Sequence, residues 1–242
     1  MTTKRKPLKG ARGKRRTSRK NHLPMYCLVI GIVTVILGIA YVQYKNYLQK
    51  KFFKSIGIDQ YENGLQAVKI NYGSKLLFNA NKNGISANYI NALCMLECGG
   101  ARKIIPRFEP HIYKRLIQLK KGEIKSYEGI SSEQMQLFSD KTIINMASSW
   151  GPLQVMGYHC LHINTSLNEF IGDSVIKHSV NWINKEYGYL LKDQRYQDAF
   201  HRHNAGCNYP LLGAPKTHDP QYVNKGLKFM EYYEREMLRN EI

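Results

Sequence analysis

An uncharged apolar run, MYCLVIGIVTVILGIAYV from Met25 to Val42, dominates the first fifty residues of the chain. Its length predicts a helix over about 25–43 able to cross the hydrocarbon core of a bilayer. Tyr26, Tyr41 and Tyr44 lie near its ends, where amphipathic rings favour the membrane interface. Residues 44–59 read as a basic, partly helical stalk. From about residue 60 to 242 the apolar spacing is mainly helical, broken by turn signals at NYGSK, NANKNG, ECGG and NAGCNYPLLGAPKTHDP. The pattern therefore predicts one mainly α domain, with at most a small β element, behind a single membrane span.

One helix can be drawn in detail. In GISANYINALCMLECGG, Ser86 suits an N-cap, Ile85 can meet Ile90 as a hydrophobic staple, and Gly99 or Gly100 ends the helix. Ile90, Leu93, Cys94 and Glu97 then share one face, which places a carboxylate on the inward stripe. The negative end of the helix dipole and apolar surroundings both raise the pKa of such a group. A carboxylic acid kept protonated near neutral pH can donate a proton to a leaving oxygen; the alternative is a Glu turned to solvent at a helix end. Near the other end of the domain, Asp219-Pro220 reads as an N-cap with a first-turn proline. The helix after it carries Val223, Leu227, Met230 and Met237 as a packing stripe with no catalytic role.

Charge sharpens the membrane reading. Of the net +18, the segment 1–24 supplies ten basic side chains and no acid, which outweighs Lys45, Lys50, Lys51 and Lys54 beyond the span. The positive-inside tendency then keeps the N-terminus cytoplasmic and exports everything from about Gln43 onward. A cleaved signal peptide, cut near Gly38-Ile39-Ala40, is the competing reading. Beside a span, the basic tail is read as a topology determinant, and no nucleic-acid partner is expected. At 43% hydrophobic residues the chain can bury a core, which excludes a disordered class. On the exported side Cys94, Cys98, Cys160 and Cys207 could oxidise, with Cys160–Cys207 a conceivable pair. A zinc site from His159, His162, His201, His203 and Cys207 has a spacing that matches no common pattern, so no metal and no cofactor are expected.

The stretch ASSWGPLQVMG, Ala147 to Gly157, lacks helical periodicity and reads as a loop shaping a binding surface. Gly151 would let backbone approach a ligand, Gln154 offers an amide that both donates and accepts, and Trp150 either stacks on a sugar or, the favoured reading, fills core. His111 and His203 read as structural hydrogen-bonders.

Taken in order, LECGG (Leu96–Gly100), RFEPHIYKR (Arg107–Arg115), ASSWGPLQVMG and HNAG (His203–Gly206) resemble the N-acetylmuramidase family of phage endolysins and bacterial cell-wall hydrolases. That family sits within the lysozyme-like group, beside goose-type lysozymes and lytic transglycosylases. The resemblance covers about Ser86 to Tyr233. It implies a lysozyme-like fold, Glu97 as the catalytic glutamate and Glu109 as the second acid. It also implies Ser149, Gly151, Gln154 and Met156 in the loop lining the sugar cleft, with Asn204 to Gly206 closing its other side. Cys98 stands where the family has Ser and His203 where it has Tyr, and the connection from Glu97 to Glu109 is shorter than in typical members. The implied activity is cleavage of the β-1,4 bond between N-acetylmuramic acid and N-acetylglucosamine in peptidoglycan. The protein would be a single-pass inner-membrane one whose domain faces the cell wall, with a place in a trans-envelope assembly. Two rivals stay open: a lytic transglycosylase, which needs one Glu because the muramic acid's own C6 hydroxyl attacks, and a lysozyme-like module that grips glycan without cutting it.

Overall fold

The structure, a computed structural model, describes residues 23–240, which form two units divided between residues 52 and 53. In the first unit the helix α1 begins at Leu23, and Leu28 to Val42 stand exposed along it. It is long and apolar enough to cross a membrane. The helix runs on unbroken to Ile56, so most of the stalk expected to be partly helical is helix continuous with the apolar run. No Gly or Pro interrupts residues 43–56, so nothing stops it until Gly57, which adopts φ +68°. The compact domain also starts earlier than the expected residue 60: Phe53 and Ile58 are buried in it, and Phe53 stacks on Tyr232 with ring centroids 5.3 Å apart.

The domain is mainly helical, as the apolar spacing predicts. After a short 3-10 turn at Asp59–Tyr61 come α2 (Glu62–Lys82) and α3 (Ala87–Cys98). Ser86 Oγ accepts the N–H of Tyr89 at 3.3 Å, and Gly99 closes α3 in the left-handed conformation, as the capping pattern predicts. Gly100 follows at φ +78°, and a Cβ there would lie 2.7 Å from both Gly64 O and Val68 N. The backbones of α2 and α3 can therefore come together only over a glycine.

Past this pair the chain lays down β1 (Arg107–Phe108), α4 (Pro110–Lys120), the hairpin β2 (Ser126–Tyr127) and β3 (Ile130–Ser131), then α5 (Ser132–Gln136) and α6 (Asp140–Met146). β4 (Ser148–Trp150) and β5 (Val155–Met156) follow, then a 3-10 turn at Gly157–Cys160, α7 (Leu167–Ile171), α8 (Val175–Lys192), α9 (Tyr196–Ala205) and α10 (Tyr222–Asn240). β4 is the centre of an antiparallel three-stranded sheet, pairing Ser149 with Arg107 of β1 and with Met156 of β5. The 147–157 loop is thus a tight hairpin, and it lies beside the motif segment that carries Glu109.

α10 packs against α3 and α9. Its inward face keeps Val223 and the partly buried Met230 of the expected stripe and adds Tyr222, Phe229, Tyr232 and Tyr233, whereas Leu227 and Met237 are exposed. Asp219 caps the approach as expected, its Oδ1 accepting the N–H of Gln221 at 2.8 Å, although the helix proper begins at Tyr222.

Candidate active site

Glu97 occupies the last turn of α3 with its side chain only 11% exposed. The Tyr222 hydroxyl, from the first turn of α10, donates to Glu97 Oε1. Burial is the main influence on the carboxyl and pushes its pKa up to about 7, against smaller downward pulls from the Tyr222 hydrogen bond and the Arg107 charge. Tyr222 is itself buried, which raises its hydroxyl well above the ordinary range and keeps it a donor.

His203, from the last turn of α9, places Nε2 3.8 Å from the same Oε1. Burial lowers its pKa to about 4, so the ring is neutral at neutral pH and this contact is not an ion pair. Its neighbours define the tautomer. Nε2 lies 3.2 Å from the carbonyl of Leu153, which can only accept, so Nε2 carries the hydrogen. Nδ1 then accepts from the Tyr187 hydroxyl at 2.7 Å. Oε1 of Glu97 takes both the Tyr222 and His203 contacts, and the side chain borders an open space.

That space is a cleft of about 1000 Å³ lined by Glu97, Glu109, Gln154, Met156, Asn204 and Tyr222, with Arg107 and Lys225 among its basic members. An adjoining cavity of about 680 Å³ shares Ile112, Met156, His203 and Asn204 with it and adds Gly206, Tyr158, His159 and Trp182. Trp182 stacks on His159 there with centroids 4.0 Å apart. Glu109 stands at the N-cap position of α4, held by the pairing of β1 with β4. Its Oε1 accepts from Arg107 Nε at 2.7 Å, and His111 Nδ1 lies 3.7 Å from its other oxygen. His111 is exposed at the cleft, where the sequence pointed to a structural role.

Of the residues expected at the cleft, Glu97, Glu109, Gln154, Met156 and Asn204 line it, and Gly206 lines the adjoining cavity. Ser149 and Gly151 line neither. Ser149 is buried and donates from Oγ to Gln154 Oε1 at 2.7 Å, so it orients the amide. Gly151 sits at φ +69°, and a Cβ there would stand 2.5 Å from Val175 Cγ2. The missing side chain thus serves the β4–β5 turn and its fit against α8, and does not bring backbone to a ligand. The Gln154 amide is also less free than expected: its nitrogen donates to Gly151 O at 2.9 Å, leaving one N–H and one lone pair. Trp150 is half-buried and gives its ring N–H to Asn145 O at 2.8 Å.

The other sequence candidates are tied elsewhere. His201 Nδ1 meets the carbonyl of Cys207 at 2.7 Å, and its Nε2 accepts the N–H of Lys216 at 2.9 Å, so both nitrogens are occupied. Among the described residues no cluster of His, Cys, Asp and Glu could hold a metal ion. Cys160 and Cys207 are not bonded to each other and are free thiols. Tyr222 and Tyr187 were not singled out in the sequence, since both lie on helix faces that read as packing. Comparison with family models, with curated proteins and with solved structures finds no match.

Proposed function

We propose that the domain is a peptidoglycan glycosidase that cleaves the β-1,4 bond between N-acetylmuramic acid and N-acetylglucosamine, with Glu97 as general acid. The observation that carries this reading is a carboxyl that is nearly buried, protonated up to about pH 7, and set in the wall of an open cleft with one oxygen held by Tyr222. A protonated Glu97 gives its proton to the glycosidic oxygen as the bond to C1 breaks. Glu109, on the same cleft, is the carboxylate that stabilises the positive charge developing at C1 or directs a water to it. Arg107 keeps that carboxylate in place. The charge left once the ten basic side chains of the 1–24 tail are set aside, +8 of the net +18, suits a glycan whose stem peptides carry carboxylates.

Products decide the reaction type. Sacculi digested by the full-length chain are expected to yield muropeptides ending in borohydride-reducible muramic acid. Non-reducible products one water lighter would replace hydrolysis by transglycosylation. Binding to sacculi without any release would leave a glycan-binding module.

The proposed topology is a single-pass anchor with the N-terminus cytoplasmic and the domain on the wall side. The Lys/Arg asymmetry around the α1 span supports it. A reporter fused after Ile242 is expected to be active only outside the cytoplasm, and activity confined to the cytoplasm would remove the wall as substrate.

A further inference from the structure

Two cysteines flank Glu97 on α3 without belonging to the cleft. Cys94 and Cys98 are one helical turn apart, and their sulfurs lie 3.7 Å from each other. Neither is among the residues that line the Glu97 cleft. Their exposure is unequal: Cys94 is fully buried, whereas Cys98, the last residue of the helix, is only partly buried. Residues one turn apart on a helix face each other with Cβ atoms about 5–6 Å apart, so a disulfide, which needs about 3.5–4.5 Å, draws this last turn together. Bond formation requires the sulfurs to close from 3.7 Å to the covalent distance of about 2 Å. The left-handed Gly99 immediately beyond Cys98 marks the helix end, where the last turn can adjust.

We infer that Cys94 and Cys98 form a reversible disulfide site, with Cys98 as the attacking thiol and Cys94 as the resolving one, and with another disulfide as the oxidant. In the first step the Cys98 thiolate attacks the oxidant R–S–S–R, forming a mixed disulfide and releasing one RS⁻, which takes up a proton. In the second, Cys94 loses its proton and attacks the Cys98 sulfur, so that the Cys94–Cys98 bond forms and a second RS⁻ leaves and is protonated. Two thiols are oxidised and one disulfide is reduced to two thiols. The local environment agrees with this order. The hydrogen bond from Cys94, followed by the backbone N–H groups of Gly100 and Ala101, holds the Cys98 thiol below its ordinary range. The same sulfur contact, with burial, raises Cys94. The product staples the helical turn that carries Glu97. The site needs no glycan chemistry and stands independently of the proposed activity.

Trypsin can read the pair directly, because Lys82 and Arg102 bound a peptide, residues 83–102, that holds both cysteines and no other cleavage site. The full-length chain in detergent micelles is incubated with oxidised glutathione, quenched in acid, alkylated with N-ethylmaleimide under denaturing conditions and digested. The doubly alkylated peptide is expected to fall at least ~10-fold, replaced by an unlabelled form two hydrogens lighter than the dithiol, and dithiothreitol is expected to restore it. Cys94→Ala should stop at a glutathione adduct on Cys98, and Cys98→Ser should leave the buried Cys94 unmodified. Persistence of the doubly alkylated peptide, or a stable glutathione adduct on the unmutated chain, would overturn the inference. Oxidation of Cys94 in Cys98→Ser at the unmutated rate would overturn it as well. Should Cys94→Ala not fold, the peptide from the unmutated chain still separates the internal disulfide from the dithiol and from the adduct by mass.

Discussion

Glu97→Gln is expected to slow clearing of a peptidoglycan suspension by the full-length chain about 10²–10⁴-fold, the usual contribution of a positioned general acid. The amide keeps the size of the carboxyl and can still accept the Tyr222 hydroxyl, but it has no acidic proton to give. Stability provides the control. The folded pKa of Glu97 is about 7, above the ordinary 4.5, so between those values the folded state holds more protons than the unfolded one. Stability from this group is therefore present below about pH 4.5 and declines as pH rises through about 7, a loss on the order of 3 kcal/mol once the carboxyl is ionised. Gln escapes that penalty, so at pH 8 the variant is expected to melt at a higher temperature than the unmutated chain. Equal clearing by both proteins would discard Glu97 as the acid. Loss of clearing together with a lower melting temperature at pH 8 would mean that the substitution had damaged the fold instead.

The rate for the unmutated chain is expected to fall about tenfold per pH unit above about pH 7, as the protonated fraction of Glu97 is lost. Tyr222→Phe tests what positions that limb. The Tyr222 hydroxyl favours the ionised carboxyl, so its removal raises the Glu97 pKa further. The alkaline limb is then expected to move upward by about one pH unit, the worth of one hydrogen bond to a charged group. Rates measured across pH 5–9 on one batch of sacculi would show it. A limb that stayed in place, or moved to lower pH while the variant kept its melting temperature, would dissociate Tyr222 from Glu97.

The parts of this architecture that depend on neighbours a few residues apart were readable from the chain. α3 is the plainest case, because Ser86, the Ile90–Leu93–Cys94–Glu97 face and Gly99 each act within one or two turns. The apolar span was equally plain, although its helix runs further than its composition suggested, since polar residues can continue a helix when no Gly or Pro stops it. Glu109, Gln154, Met156 and Asn204 were read at the cleft and line it with Glu97, whereas the Tyr222 donor and the packing behind the cleft were not readable. Ser149 looked like a ligand contact and turns inward to Gln154, and Gly151 looked like a backbone approach and accommodates Val175, because a hairpin motif does not say which of its faces is packed. The face of α10 was read in part for a related reason: Val223 and Met230 do face inward, but tyrosine is amphipathic, so a stripe traced through aliphatics alone misses Tyr222, Tyr232 and Tyr233.

The hydrogen bond between Glu97 and Tyr222 joins residues 125 positions apart. Helix α3 carries its own local caps, Ser86 and Gly99, but the setting of its carboxyl depends on α10, which packs against it from far along the chain. Ribosomes deliver that helix well after α3. A nascent or C-terminally truncated chain that stops short of residue 222 lacks the donor that holds Oε1 and the aromatic face of α10 that packs on α3. The proton affinity of Glu97 is in this sense shared with α10, and is set only once that helix has been made and docked.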